Sequence, residues 1–380
     1  MFYFRHKLMK TRLSALFGCR YPIFGFSPSP EVVAAIGRAG GLGVLGAVRY
    51  GTTEELEGAL RDLDDTGVPY GVDVVMPVKT AGEGAVPDLD AMIDERHRAF
   101  VEDVLARFGV PALAAGTPKP EGITAWMQSY ARGQVDVALA HPNVKLVASA
   151  LGSPPREAIA ACHAKGVLVA ALAGKAEHAR RHVEAGVDVI VAQGHEAGGH
   201  TGEITTMVLV PEVVRAVAPV PVLAAGGIGT GAQIAAALAL GADGVWLGSL
   251  WLTSAEYQLE PKAASGYSVV QEKLLAATSS DTVRSRCISG KPARMLKTPW
   301  TEAWEGKGSP GPLAMPLQGV LVAEAEARIR AAQHRELLGT PVGQIVGQMN
   351  AVRSVADEIA RLVAEAEEAA SRVAAAMTRS

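Results

Sequence analysis

Two consecutive apolar runs that each end in glycine, one βα unit apart, constrain this chain more than any other feature. Val220 to Ala225 leads into Gly226-Gly227-Ile228-Gly229, and Gly244 to Leu252 finishes its first part at Gly248-Ser249. Between them lies the alanine-rich, helix-forming stretch Gln233 to Leu240, closed by Gly241-Ala242-Asp243. A short, uniformly apolar run suits a strand buried on both faces, the condition of a parallel sheet. Glycines at its carboxyl end let main-chain N–H groups approach an anion with no Cβ in the way. Neighbouring strands that finish in such turns form the phosphate site on the last two loops of a (β/α)8 TIM barrel. A dinucleotide fold is the rival, because Gly227-Ile228-Gly229-Thr230-Gly231 resembles its glycine signature. It fails on spacing: the third glycine comes too early, and no acidic residue ends the next strand.

The rest of the chain alternates in the same way, which is the pattern of parallel β/α architecture. Tyr21–Phe26 reads as the first strand and Pro30–Arg38 as a helix opened by proline. Leu42–Ala47 is the second strand, Thr52–Leu63 its helix, and Tyr70–Met76 the third strand. The alternation then lapses over residues 78–143, where helical stretches at 88–108 and 122–139 flank a Gly/Pro-rich turn. That segment reads as a helical insertion covering the barrel mouth. Strands four to six follow at Lys145–Leu151, Val167–Ala173 and Val187–Gln193, with helices at Pro155–Lys165 and Ala176–Ala185. Residues 1–255 thus make the barrel and 256–380 a mostly helical C-terminal extension. Its last helix, Ser354 to Met377, carries Val355, Ile359, Leu362 and Val363 on one face. That face is expected to pack on the barrel or on a second copy in a homodimer; the acidic opposite face argues against a membrane.

Composition narrows the partners. Of 380 residues, 49% are apolar, enough for a large core, and the net charge of −3 argues against nucleic acid held by its phosphates. Cys19, Cys162 and Cys287 are scattered without metal or disulfide spacing, as in a cytoplasmic protein with reduced thiols. The basic start has no apolar stretch of signal-peptide length, and no run is long enough to span a bilayer.

A histidine-bearing loop, His195-Glu196-Ala197-Gly198-Gly199-His200, leaves the sixth strand. The two histidines are five apart with two glycines between them, which rules out the helical pair of a zinc protease, and no metal is expected. His200 follows those glycines at the carboxyl end of a barrel strand, where such enzymes place catalytic groups. It reads as the proton-transfer or hydrogen-bonding residue. The alternative, a histidine that only orders its loop, is the preferred reading for His195.

The run AQGHEAGGHTG, residues 192–202, with AAGGIGTG and GVWLGS beyond it, resembles the FMN-dependent nitronate monooxygenase family, formerly called 2-nitropropane dioxygenases. The segments AAIGRAGGLGVLGA (34–47), YGVDVVMP (70–77), SGKPAR (289–294) and MPLQ (315–318) extend the likeness. The resemblance implies an FMN cofactor and a small nitronate oxidised with O2 to a carbonyl compound and nitrite. Related flavoenzymes share these segments, so the alternative is an NAD(P)H-dependent FMN reductase acting on a quinone or enoyl thioester. By position, His200 would be catalytic, with Gln193, Gly194 and Gly199 near the isoalloxazine. Gly226, Gly227, Gly248 and Ser249 would bind phosphate beside Ala225. Gly25 and Phe26 stand where the family has a proline-methionine pair, and Gly71 and Asp73 where it has Gly-Val-Asn. An acid at residue 73 in place of an amide is unfavourable beside a flavin that becomes anionic, unless it is protonated or turned away.

Overall fold

The computed structural model describes residues 9–76, 88–117 and 128–378. Eight parallel strands close into one barrel: β1 (Ile23–Ser27), β2 (Leu42–Gly46), β3 (Tyr70–Val75), β4 (Val144–Ala150), β5 (Leu168–Ala173), β6 (Val189–Gln193), then, past a two-residue strand β7 (Gly199–His200) outside the barrel, β8 (Val222–Ala225) and β9 (Gly244–Leu247). β9 pairs back on β1 through Ile23↔Val245, which closes the ring. The chain is a (β/α)8 barrel.

Strand side chains alternate between the barrel axis and the surrounding helices. Phe24, Val44, Leu146, Ala170, Val191, Leu223 and Trp246 point inward and fill the interior. The short helix α1 (Arg12–Leu16) plugs the amino-terminal end, with Leu13 and Phe17 joining that interior cluster and Phe17 lying edge-on to Phe24 at 5.3 Å. Thr11 Oγ1 donates to Asp243 O at 2.6 Å and Arg12 pairs with the Asp243 carboxylate at 2.8 Å, fixing the plug beneath β9. The opposite, carboxyl-terminal end is left for chemistry.

Outside stand α2 (Pro30–Arg38) and α3 (Thr53–Asp64), each started by a hydroxyl cap, Ser29 and Thr52. The segment expected to be one insertion holds two helices with different partners. In it, α4 (Glu95–Arg107) packs on the C-terminal extension, whereas α5 (Gln128–Ala138) packs on α3, β3 and β4 as a barrel helix. The parts of that segment at 77–87 and 118–127 lie outside the described residues. The circuit continues through α6 (Arg156–Ala164), α7 (Ala176–Ala185), α8 (Thr206–Val217) and α9 (Gly231–Ala239).

The extension contains α10 (Val269–Ala276), a hairpin of β10 (Thr282–Ser285) and β11 (Ala293–Leu296), α11 (Pro299–Glu305), α12 (Leu317–Ala331) and α13 (Val355–Met377). Arg328 of α12 ties down α4 through Glu102 at 2.9 Å and the Val110 carbonyl at 3.1 Å, and Phe100 meets Trp304 edge-on at 4.9 Å. The apolar face of α13, with Val355, Ile359, Leu362 and Val363 buried, packs on α9 and α2 of the same chain. α13 therefore fills the place of the eighth barrel helix, supplied from the far end of the chain. No helix among the described residues is long and apolar enough to cross a membrane.

Candidate functional site

Alternation decides which residues face the open mouth. Phe26, Ala150, Leu172 and Gln193 are half-buried at the inward-pointing ends of their strands, with Asp73 (6% exposed) and Ala225 beside them. Phe26 lies across the mouth between β2 and the end of β9: a Cβ on Gly46 would stand 2.8 Å from its Cζ, and one on Gly248 3.8 Å from its Cδ1. Two expected cofactor residues do not reach the mouth. Gly25 faces outward, where a Cβ would collide with Ile36 and with Trp251 Nε1 at 2.8 Å. Gly71 lies one layer deeper than Asp73, and a Cβ there would meet Val44 and Leu146 at 3.2 Å. Both glycines let neighbours pack closely, so only their main chain could touch a ligand.

The turn after β8 presents donors. Gly226 and Gly227 adopt φ of +102° and +67°, a left-handed pair that only glycine enters cheaply. Their carbonyls are engaged from behind: Thr206 Oγ1 lies 2.9 Å from Gly226 O, and Gln233 Nε2 donates to Gly227 O. α13 grips the next residues, with Arg361 donating to Gly229 O at 2.9 Å and Gly231 N–H donating to Glu365 at 2.8 Å. Among the described residues, the N–H groups of Gly227 and Ile228 donate to no protein acceptor. A cleft of about 300 Å³ runs past the same turn between α8, α9 and residues 344–348. Met207, Val210, Ala236, Ala237 and Leu240 give its helix walls an apolar character, with Thr206, Gln233 and the Glu196 side chain beside the turn.

The neighbouring strand differs from the sequence reading. It stops at Leu247 rather than running to Leu252, because Gly248 leaves the extended region and Ser249–Thr253 coils into a 3-10 turn. That change adds donors, since the N–H groups of Ser249 and Leu250 open the turn without a protein acceptor among the described residues. Ser249 Oγ accepts from Gly343 N–H at 2.8 Å, which leaves its own proton to donate. Four main-chain N–H groups and one hydroxyl on adjacent loops suit a phosphate.

His200 is held by a sheet that sequence reasoning missed. β7 pairs with β11, placing His200 opposite Ala293 and Gly199 opposite Arg294, so the C-terminal hairpin fixes the loop from above. His200 Nε2 lies 2.7 Å from the Oγ of buried Ser289, and that Oγ accepts from Lys291 N–H. Burial, and to a lesser extent the charge of Lys291, push the imidazole down to about 4, so it is neutral at pH 7. Arg294 donates to the His195 carbonyl and Arg284 to the Thr201 carbonyl, each at 3.1 Å, bracketing His200. The only sequence trace of this was SGKPAR, which holds Ser289 and Arg294.

Within the same loop, His195 uses Nδ1 on Gly202 O at 3.3 Å and so orders the backbone. Gly194 N–H donates to Ala225 O at 2.9 Å, and a Cβ on Gly194 would strike Thr206. Gly199 sits at φ +75° with open space where its side chain would be. Gln344 N–H bonds Glu196 O at 2.9 Å while its neighbour Gly343 bonds Ser249, so the extension ties the histidine loop to the turn after β9.

The family model described as nitronate monooxygenase matches residues 10–365. A Mycobacterium tuberculosis protein with the provisional name of monooxygenase is 51% identical over 371 residues, 94% of this chain and 96% of that one. A Rhodococcus jostii dehydrogenase named for a hydroxy-methyl-oxo-octahydroindene-carboxyl-CoA is 30% identical over 79% of this chain and 69% of its own. The crystal structure of a nitroalkane oxidase from Streptomyces ansochromogenes superposes with a TM-score of 0.77 at 28% identity, covering 95% of this chain and 99% of that one.

Proposed function

Since this chain belongs to the nitronate monooxygenase family and is an oxidoreductase of that type, we propose that it binds FMN at the barrel mouth and oxidises a small alkyl nitronate with O2 to a carbonyl compound and nitrite. The observation that carries this reading is a half-buried, neutral His200 fixed in the loop that is tied to two donor-lined turns. The N–H groups of Gly227, Ile228, Ser249 and Leu250 and the Ser249 hydroxyl would hold the phosphate. Phe26, Gln193, Ala225 and Gly248 would lie against the ring system. FMN, when bound, supplies redox chemistry that no side chain here possesses.

His200 suits a nitronate better than a neutral nitroalkane. A histidine titrating near 4 is a weak base at pH 7, and a nitronate has already lost its carbon proton. An anion beside the ring favours the protonated form, so substrate binding itself would draw a proton onto the imidazole. Ser289 keeps Nε2 oriented throughout. Purified protein should be yellow, release FMN on denaturation and consume O2 with ethylnitronate or propionate 3-nitronate. Colourless protein that FMN cannot reconstitute would overturn the reading.

The second reading is an NAD(P)H-dependent FMN reductase acting on a quinone or enoyl thioester; the relative named as a carboxyl-CoA dehydrogenase supports the thioester part of it. Anaerobic mixing separates the two: bleaching of the flavin by NADH or NADPH supports the reductase, and bleaching by nitronate alone the monooxygenase.

Ser249→Ala tests the phosphate placement. It removes the hydrogen bond to the charged phosphate, worth about 1.5–3 kcal/mol, so FMN should bind roughly ten- to a hundred-fold more weakly; it also frees Gly343 N–H, a cost to stability that a thermal melt reads separately. Turnover at saturating FMN should change little, because the phosphate is remote from the reacting ring. Full FMN affinity with lost turnover would show that the phosphate lies elsewhere.

A further inference from the structure

We propose that Asp73 keeps its proton when FMN is bound and presents a carboxylic O–H to the isoalloxazine, so that the protein's affinity for FMN falls as pH rises above neutrality. The proposal rests on the FMN reading above and concerns the one acid among the inward-facing strand-end residues of the mouth.

Among the described residues, nothing supports a carboxylate at position 73. Asp73 points inward from β3, two residues above Gly71, and is 6% exposed. Its register neighbours are Gly46 on β2 and Ala148 on β4, neither of which has a polar side chain. Among the described residues its carboxyl has no hydrogen-bond partner and no ion pair. Around the mouth, β1 offers Phe26, β4 Ala150, β5 Leu172, β6 Gln193, β8 Ala225 and β9 leads to Gly248, all uncharged. The 3-10 turn Ala47–Arg49, which packs on β3, sends its only charge outward: Arg49 is exposed and lies over the Tyr50 ring at 5.9 Å. His200 is neutral at pH 7.

Burial alone, with no compensating charge, pushes the Asp73 carboxyl up to about 7. A flavin placed over it would remove the remaining water and favour the neutral acid further. The isoalloxazine edge offers mainly carbonyl and ring-nitrogen acceptors, with a single N–H donor. A protonated acid gives it a hydrogen bond, and a carboxylate repels it.

The sign follows directly. Above pH 7 the free protein is largely ionised at residue 73, and FMN binding must return the proton. Affinity therefore falls about ten-fold for each pH unit above 7, because each unit lowers the neutral fraction ten-fold. FMN dissociation constants are to be measured from pH 6 to 8.5 in wild type and Asp73→Asn. The amide cannot ionise, so the variant should lack the wild-type decline and bind more tightly than wild type at pH 8.5. The titration of the FMN phosphate affects both proteins alike. Parallel profiles, or wild-type affinity that rises with pH because a carboxylate accepts the ring N–H, would overturn the proposal.

A second measurement needs no variant. At pH 8 the phosphate is already ionised, so calorimetry of FMN binding in buffers of different ionisation enthalpy should show uptake of nearly one proton. Uptake near zero overturns the inference even if Asp73→Asn fails to fold. FMN binding with no proton linkage defeats the Asp73 assignment alone, whereas absence of FMN binding at every pH defeats both it and the function.

Discussion

His200→Asn is expected to keep its flavin and to lower turnover by about 10²–10⁴-fold, the range for removal of a positioned proton-transfer group. The retained flavin follows from the architecture, because the turns proposed to hold the phosphate, at Gly226-Gly227 and Gly248-Ser249, belong to other loops. The lost turnover follows from chemistry, because asparagine cannot take the proton that an anionic substrate draws onto the ring. Asn also keeps a polar group near Ser289 Oγ, so β7 should stay paired with β11 and the fold should survive. The flavin-to-protein ratio, measured beside kcat with a nitronate, gives the answer. Turnover within a few-fold of wild type would remove His200 from the reaction.

Gly227→Val should give the opposite phenotype: a folded protein that purifies without flavin. The residue sits at φ +67°, where a β-branched side chain is strongly strained, and a Cβ would stand 3.1 Å from the Glu196 Cβ. Relief of either conflict turns the N–H groups of Gly227 and Ile228 away from the phosphate. Loss of two hydrogen bonds to a charged group, each about 1.5–3 kcal/mol, corresponds to at least a hundred-fold weaker FMN binding. Circular dichroism should remain that of the wild type, since the barrel ladder on Ala225 lies before the turn. A variant that retains stoichiometric FMN would place the phosphate on a different loop.

Much of this protein was legible locally. Each barrel strand is a short apolar run with its own punctuation, so period and length alone identified β1 to β6, β8 and β9 and their order. The paired glycine turns were equally visible, because a phosphate cradle depends on backbone angles that few residues adopt. Inward and outward facing was not legible, because the strands are apolar on both sides. That is why Gly25 and Gly71 read only as ligand contacts, although the Cβ direction of each is filled by packed neighbours.

The residues that complete the site lie far away in sequence. Ser289 meets His200 across 89 positions, and Arg361 and Glu365 of α13 hold the backbone at Gly229 and Gly231 from 132 and 134 positions away. Two-residue β7 has no periodicity to detect; it exists because β11 offers it an edge. The eighth barrel helix likewise could not be assigned from order, since α13 reaches its place only after the hairpin and α10 to α12. The sequence by itself determined the barrel and the two glycine turns, because both rest on local pattern and backbone geometry. Only the tertiary structure decided what orients the histidine, braces the glycine turn after β8 and surrounds Asp73 among the described residues, because each depends on pairing between distant segments.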